Sequence, residues 1–171
     1  MKGLGGVGRS VLDRLDSVFG FEVAYAHCDI PCGIYDPHYA QLAAHTIIRM
    51  DMLIADLNKS GNMDVEARNK MIRCVRVKEE HAQRCEEEIT TLWADYFKME
   101  HFQADAELGP LIWNTLQIAS KARQTTNIAD AEALLANVEK VAEKFWKTKK
   151  IETKRAKSLY PTEREMVYPV V

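Results

Sequence analysis

Apolar residues recur at intervals of three and four in four stretches of this chain, the spacing that places them on one face of an α-helix. Asp36-Pro37 is a helix-start signal, because Asp accepts hydrogen bonds from unpaired amides and Pro has no amide to leave unpaired. Further starts are predicted near Asp64 and Asp105, and a polar turn at residues 124–127 precedes the fourth stretch. No strand-like alternation competes with this pattern. The sequence therefore predicts an all-α fold, an antiparallel four-helix bundle with short links.

The second predicted helix carries charged residues on most of its surface and one apolar stripe. The stripe expected to face the core consists of Ile72, Val75, Ala82, Ile89, Trp93 and Tyr96. Cys74 and Cys85 on the same helix are eleven residues apart, about 16 Å along the axis, which is too far for a disulfide. We therefore predict that both are small core residues. Four histidines of the helical body are expected to be surface residues or to have partners within the helices: His38, His45, His81 and His101.

The overall charge excludes several classes of partner. The chain has 171 residues, enough for one domain with a core, and a net charge of −2 at pH 7. This balance provides no general basic field, so we expect neither nucleic acid nor a membrane surface as a partner. The uncharged apolar stretches are far shorter than the roughly 18 to 20 residues of a membrane-spanning helix. Four Cys are too few for a disulfide scaffold.

Residues 1–26 differ from the rest of the chain. Half of the eight Gly fall within the first eight positions, and a short amphipathic stretch follows. The segment lacks the uncharged apolar core of a secretory signal, so we expect a cytoplasmic protein. Taken alone, these residues favour a mobile N-terminal arm. However, Ala24-Tyr25-Ala26 has the small-x-small form that signal-type peptidases cut after.

The densest run of potential metal ligands begins directly after Ala26 and contains His27, Cys28 and Cys32. A proline between the two Cys fixes one backbone dihedral and the glycine after them frees another, so both sulfurs can turn toward one point. Thiolates are soft ligands suited to late transition metals. A structural zinc site would require a second ligand pair, which is missing nearby.

Cleavage after Ala26 would make His27 the N-terminus and add an amine to this ligand set. The amine, the Cys28 amide nitrogen and the sulfurs of Cys28 and Cys32 can then enclose one ion in a square plane, with the His27 imidazole along the axis. Planar nitrogen and sulfur coordination favours nickel or copper over zinc. Amine, amide and thiols all lose protons on binding, so assembly is expected to fail in acid.

The run His27-Cys28-Asp29-Ile30-Pro31-Cys32-Gly33-Ile34-Tyr35-Asp36-Pro37 resembles the N-terminal metal hook of the nickel superoxide dismutase family. The signature of that hook is His-Cys-Asp-x-Pro-Cys-Gly-x-Tyr-Asp-Pro, directly after a removable leader. Two further segments are similar to the family: Leu92-Trp93-Ala94-Asp95-Tyr96-Phe97-Lys98, and Phe145-Trp146 followed by Thr148-Lys149-Lys150. The resemblance extends over residues 27 to about 150.

This resemblance implies a homohexamer of four-helix bundles with one nickel ion per subunit. Such an enzyme converts superoxide to oxygen and hydrogen peroxide by cycling between Ni(III) and Ni(II). The resemblance assigns His27, Cys28 and Cys32 as metal ligands, and it places Tyr35 and Asp29 beside the open face of the metal, where they order water and admit a small anion. It also implies a processing peptidase that cuts after Ala26.

The resemblance divides the chain into four parts. Residues 1–26 are a removable leader, residues 27–35 the nickel hook and residues 36–150 the bundle. Residues 151–171 are a C-terminal tail, in which Tyr160 to Val171 are expected to lie along the surface or to pair with a neighbouring subunit.

Two positions depart from the family pattern. Some family members orient the axial imidazole with a glutamate and an arginine, and counting along this chain those positions hold Ala43 and His81. His45 or His81 could replace them, because a metal-bound His normally has a fixed partner. Two other functions stay open from the residues: a dithiol redox protein using Cys28 and Cys32, and a non-catalytic helical assembly module with a vestigial hook.

Overall fold

A computed structural model describes residues 32–171, of which Gly33–Val171 form one compact unit. Its helices are α1 (His38–Ser60), α2 (Val65–Thr91), the short α3 (Met99–Ala104), α4 (Leu108–Gln124) and α5 (Ile128–Thr148), and one π-helical turn, Leu92–Tyr96, follows α2. Two strands follow α5: β1 (Thr153–Lys157) and β2 (Glu165–Pro169). The four long helices α1, α2, α4 and α5 pack in a ring in which each contacts two others. The predicted four-helix bundle is confirmed.

The helix ends follow from local side-chain chemistry. The Asp36 carboxylate accepts from the His38 amide at 2.7 Å, and the Asp64 carboxylate accepts from the Ala67 amide at 2.8 Å. Both bonds satisfy amides that have no partner inside the helix. α1 ends at Gly61, whose φ of 66° lies in the left-handed region that favours glycine. Among the described helices, none is both long and apolar enough to span a membrane.

The core of the bundle is formed by apolar side chains from all four long helices. The largest of those that are fully buried are Phe145, Ile47, Ile48, Ile89, Leu108 and Leu134. Cys74 and Cys85 are both buried, which confirms their prediction as small core residues.

The inward face of α2 differs from the predicted stripe. Ile72 is 69% exposed and Trp93 is 51% exposed, whereas Ala82 and Ile89 are buried as expected. The buried face consists of Cys74, Lys78, Ala82, Cys85 and Ile89. These residues follow helical spacing, but apart from Ile89 and Lys78 their side chains are small. A prediction that followed large apolar residues therefore placed part of the stripe on the wrong face.

Lys78 is buried because another helix supplies its partners. Its Nζ donates to the Ala122 carbonyl at 3.1 Å and to the Thr125 carbonyl. These carbonyls lie at the C-terminal end of α4, where the last carbonyl groups of a helix have no partner within it. The ammonium group also lies at the negative end of the α4 dipole. Lys78 thus caps α4 from α2.

Asp51 of α1 lies in the core with both carboxylate oxygens buried and without a hydrogen-bond partner among the described residues. Burial raises the pKa of Asp51 to about 6, although the nearby charge of Lys78 acts to lower it. The ionised carboxylate is therefore less favourable in the folded protein than in the unfolded chain.

Replacing Asp51 with Asn is expected to stabilise the protein at pH 8 by about 1–2 kcal/mol. The pKa of Asp51 is raised in the folded state, so the ionised form destabilises the fold above about pH 6. This penalty disappears as the pH falls toward 4, and the gain from Asp51→Asn should shrink with it. Urea unfolding of both proteins at pH 8, 6 and 4.5 measures the effect. Destabilisation at pH 8 would show instead that attraction to Lys78 outweighs the cost of burial.

The C-terminal tail folds back as a β-hairpin, which the sequence analysis did not predict. β1 and β2 pair antiparallel, with Thr153 opposite Pro169 and Lys157 opposite Glu165. β2 packs on α5, and the Gln41 side chain of α1 bonds both backbone groups of Val167, accepting from its amide at 2.7 Å and donating to its carbonyl at 3.1 Å. Strands of five residues with charged members leave little periodic signal, and their docking depends on a residue 126 positions away.

Candidate metal centre

The predicted site residues fall on both sides of the boundary of the described structure. His27, Cys28 and Asp29 lie outside the described residues, whereas Cys32 and Tyr35 lie inside them. Cys32 is exposed and Tyr35 is half-buried. Between them, Gly33 has a φ of 70°, a left-handed backbone conformation that residues with a side chain rarely adopt. A glycine is therefore required by the turn that leads from the Cys32 thiol to Tyr35.

Tyr35 is held by a cluster of aromatic rings. Its ring centroid lies 5.5 Å from that of Tyr96 at an interplanar angle of 52°, and Tyr96 in turn lies 4.5 Å from Phe145. These three residues come from three segments far apart in the chain: the loop before α1, the π-helical turn and the end of α5. The structure thus brings Tyr35, from the first of the segments that resemble the family, close to the other two segments.

A hydrogen bond fixes Tyr96 in this cluster. The Thr148 hydroxyl donates to the Phe145 carbonyl at 2.7 Å, so its oxygen is available to accept from the Tyr96 hydroxyl at 2.5 Å. The π-helical turn is closed by the Phe97 amide, which donates to the Leu92 carbonyl five residues earlier at 2.8 Å. Such turns are frequent at functional sites. Because a π-helical turn is wider than an α-helical turn, the side chains of Trp93 and Tyr96 point in different directions. Trp93 is exposed, whereas Tyr96 packs on Phe145.

Basic side chains surround the cluster. Lys149 Nζ lies 5.2 Å from the Tyr96 ring centroid and 5.1 Å from that of Phe145, both within cation–π range. Lys98 Nζ donates to the Asp95 carbonyl at 2.9 Å. The His101 ring stacks on Tyr96 at 5.8 Å, and its Nδ1 accepts from the Lys98 amide at 3.0 Å. The positive charge beside Tyr96 favours the approach of a small anion.

The bundle interior does not offer a competing metal site. Burial raises the pKa of the Cys85 thiol to about 12, so this thiol stays protonated and is a poor ligand. Within residues 32–171, no three His, Cys, Asp or Glu side chains are grouped so that they could hold a metal ion. The exposed thiol of Cys32 is a soft donor of the type that suits a late transition metal such as nickel.

The two histidines considered as replacements for the missing imidazole partners differ in availability. His45 Nε2 donates to the Glu165 carbonyl at 3.1 Å, and its Nδ1 is hydrogen-bonded to the Thr162 hydroxyl at 2.6 Å. Both ring nitrogens of His45 are therefore engaged. His81 Nδ1 donates to the Val77 carbonyl at 2.8 Å, which leaves Nε2 as an acceptor. Its side chain borders a cavity of about 360 Å³ that Ala43 also lines.

The sequence of this chain is similar to a known family and to proteins of that family. The family model described as nickel-containing superoxide dismutase matches residues 22–149. The superoxide dismutase [Ni] of Streptomyces coelicolor is 34% identical over 125 residues, which cover 73% of this chain and 89% of that protein. The corresponding protein of Streptomyces seoulensis is 33% identical with the same coverage.

Solved structures show the same similarity. The native nickel superoxide dismutase structure superposes with a TM-score of 0.62 and 32% identity, covering 72% of this chain and 99% of that chain. The structure with nickel ligation corresponding to the oxidised state gives a TM-score of 0.62 and 31% identity with the same coverage. The family match ends at residue 149, before β1 and β2.

Proposed function

Because this chain belongs to the nickel-containing superoxide dismutase family and is a nickel-dependent superoxide dismutase, we propose that its active site assembles at residues 27–35 once the chain is cut after Ala26. The observation that carries this proposal is the convergence of Tyr35, Tyr96 and Phe145, since Tyr35 follows Cys32 by only three residues in the chain. The cut creates the His27 amine, a neutral nitrogen donor that the uncut chain does not have at this position.

The proposed nickel ligands are His27, Cys28 and Cys32. His27 contributes its amine and imidazole, Cys28 its amide nitrogen and thiolate, and Cys32 its thiolate. The chemistry that nickel supplies when bound is one-electron cycling between Ni(III) and Ni(II), which electron-rich sulfur and deprotonated amide nitrogen make accessible. The donor types support this assignment, because soft thiolates and planar nitrogen ligands suit nickel.

Tyr35 and Asp29 are proposed to act on the anion and on water at the open side of the site. Packing against Tyr96 restricts the Tyr35 ring, so its hydroxyl can order water without losing much rotamer freedom on binding. Asp29 accepts hydrogen bonds from that water. Lys149, held over the Tyr96 ring, supplies positive charge near the path of the superoxide anion.

We also propose a homohexamer, cleavage by a processing peptidase and a cytoplasmic location. Large apolar side chains that remain exposed on the described unit support assembly, because the cores of protein interfaces are enriched in aromatic residues and Met. Those exposed on the described unit include Ile34, Trp93, Met99 and Trp113.

Mass spectrometry and metal analysis of the protein, co-expressed with a processing peptidase, test the proposal. We expect a mature chain that begins at His27, one nickel ion per subunit and superoxide dismutation. A dithiol redox protein would instead show a Cys28–Cys32 disulfide without reductant and no nickel. An assembly module would form the hexamer without nickel and without activity.

His81 is expected to orient the His27 imidazole, since His45 has no ring nitrogen to spare. Replacing His81 with Ala should weaken nickel binding by about 10- to 100-fold, the usual cost of losing a partner of a metal-bound His. Nickel competition titration of the cleaved protein measures this affinity. Gln83→Ala, an exposed change on the same helix, is the control and should bind nickel normally. Equal nickel affinity of the unmodified protein and of both variants would show that His81 does not orient the His27 imidazole.

A further inference from the structure

The C-terminal hairpin, α1 and α2 enclose a cavity of about 360 Å³. Its walls are largely apolar, and they include Leu42 and Met50 of α1, His81 of α2, and Tyr160 and Pro161 of the loop between β1 and β2. Because the family match ends at residue 149, the wall that this loop contributes lies beyond the matched part of the chain. A cavity with mostly apolar walls and a few polar groups is typical of small-molecule sites.

The loop that forms one wall of the cavity is fixed to α1 by hydrogen bonds. Gln41 bonds the backbone of β2, and His45 bonds the Thr162 hydroxyl and the Glu165 carbonyl. The Tyr160 ring also packs edge-on against His45 at 5.4 Å. A ligand therefore does not have to order the loop on binding, which lowers the cost of association.

Arg49 lines this cavity and is half-buried, yet it forms no ion pair with a carboxylate of residues 32–171. The residues three and four positions away on the same helix, which are its neighbours on the helix surface, are His45, Thr46, Met52 and Leu53. None of them is acidic, so α1 itself supplies no partner for the guanidinium group.

Two acidic side chains near the hairpin loop already have partners of their own. Glu132 of α5 pairs with Arg164, and Glu163 pairs with Lys157 at 3.4 Å. The described residues that line the cavity include no Asp or Glu. The positive charge of Arg49 is therefore not compensated within the cavity, and this favours an anionic ligand.

The Tyr160 hydroxyl is a second hydrogen-bond donor at the cavity. Tyr160 is 37% exposed, and its hydroxyl forms no hydrogen bond within residues 32–171. A guanidinium group can donate two parallel hydrogen bonds to a carboxylate, and a phenol hydroxyl can donate a further one. A phosphate group would bring up to about two negative charges against one arginine, whereas a carboxylate brings one.

We infer that this cavity is a binding site for a small carboxylate with an apolar body, of the aromatic or branched aliphatic type. The carboxylate lies at Arg49 and accepts from the Tyr160 hydroxyl, and the apolar body packs on Leu42 and Met50. The site does not depend on the nickel ligands, because its residues belong to α1, α2 and the hairpin loop.

Methyl NMR of the uncut, nickel-free full chain, titrated with sodium benzoate and with 3-methylbutanoate at constant ionic strength, tests this proposal. We expect saturable shifts of the Leu42 and Met50 methyl signals with a dissociation constant of about 1 mM, a usual affinity for ligands with so few atoms. The methyl signals of Leu134, which is buried in the core and does not line the cavity, should not move.

Three further probes separate the contributions of charge and of apolar contact. Benzamide has the shape of benzoate without its charge, whereas acetate and inorganic phosphate have charge without an apolar body. Each should bind at least about tenfold more weakly than benzoate, because a hydrogen bond to a charged group contributes about that factor. Equal binding of benzoate and any of these probes, or no saturable binding of either carboxylate, would overturn the proposal.

Variants identify the groups that hold the carboxylate. Arg49→Gln should weaken benzoate binding by about tenfold or more and leave benzamide binding unchanged. Tyr160→Phe keeps the ring and should weaken benzoate binding by about threefold to tenfold. Arg68→Gln, an exposed change on α2 away from the cavity, is the matched control and should bind benzoate normally. Equal losses of benzoate and benzamide binding in Arg49→Gln would show that Arg49 only shapes the cavity, and would overturn its role in binding the carboxylate.

Discussion

Replacing Cys32 with Ser is expected to reduce the rate of superoxide dismutation by more than about 100-fold. Loss of a residue that only hydrogen-bonds to a metal ligand already lowers metal affinity or activity by about 10- to 100-fold, and loss of a ligand itself should cost more. A serine hydroxyl is a hard donor and stays protonated near neutral pH, so it cannot supply the electron density that a thiolate gives to nickel. Cys32 is exposed and precedes α1, so the bundle should fold and unfold as before. Superoxide assays with nickel analysis and thermal unfolding measure the two properties.

Cys74→Ala is the control for loss of a thiol. Cys74 is buried on α2, outside any group of potential metal ligands in the described part of the chain. This change should lower stability by about 1 kcal/mol, as small core substitutions do, and leave nickel content unchanged. Full activity in Cys32→Ser, or loss of nickel in Cys74→Ala, would contradict the ligand assignment.

Blocking cleavage after Ala26 is expected to prevent nickel binding almost completely. In the uncut chain the His27 nitrogen belongs to a peptide bond, whose lone pair is delocalised into the carbonyl group, so this nitrogen is not a neutral amine donor. Ala26→Phe replaces the small residue of the Ala-x-Ala pattern with a bulky one and should leave the leader attached. The nickel content of this variant, measured after co-expression with the peptidase, should fall to background.

A second preparation separates the effect of the leader from that of the substitution. In the Ala26→Phe variant, a recognition site for a second protease can be inserted directly before His27. Cutting by this protease leaves His27 as the first residue. Cutting in vitro should then restore nickel binding. Equal nickel content before and after this cut would refute the requirement for a terminal amine.

The sequence alone was enough to predict the bundle and the metal-binding run, because both depend on residues close together in the chain. Asp36 and Asp64 accept from amides two and three residues ahead, so helix starts can be recognised locally. The run from His27 to Pro37 likewise carries its donors, its proline and its glycine within eleven positions. Nickel dependence and dismutase activity, expected from that run, are confirmed by the family to which the chain belongs.

The environments of individual side chains could be decided only by tertiary structure. A lysine such as Lys78 is normally exposed, and only the carbonyls at the end of α4 make its burial favourable. His45 and His81 are equivalent candidates in the sequence, but Thr162 and Glu165, more than 115 positions away, occupy both nitrogens of His45. The packing of Tyr35 on Tyr96, and of Tyr96 on Phe145, likewise joins segments that are far apart in the chain. Local periodicity determines which segments form helices, whereas the partners of buried polar groups come from distant segments that meet only in the folded chain.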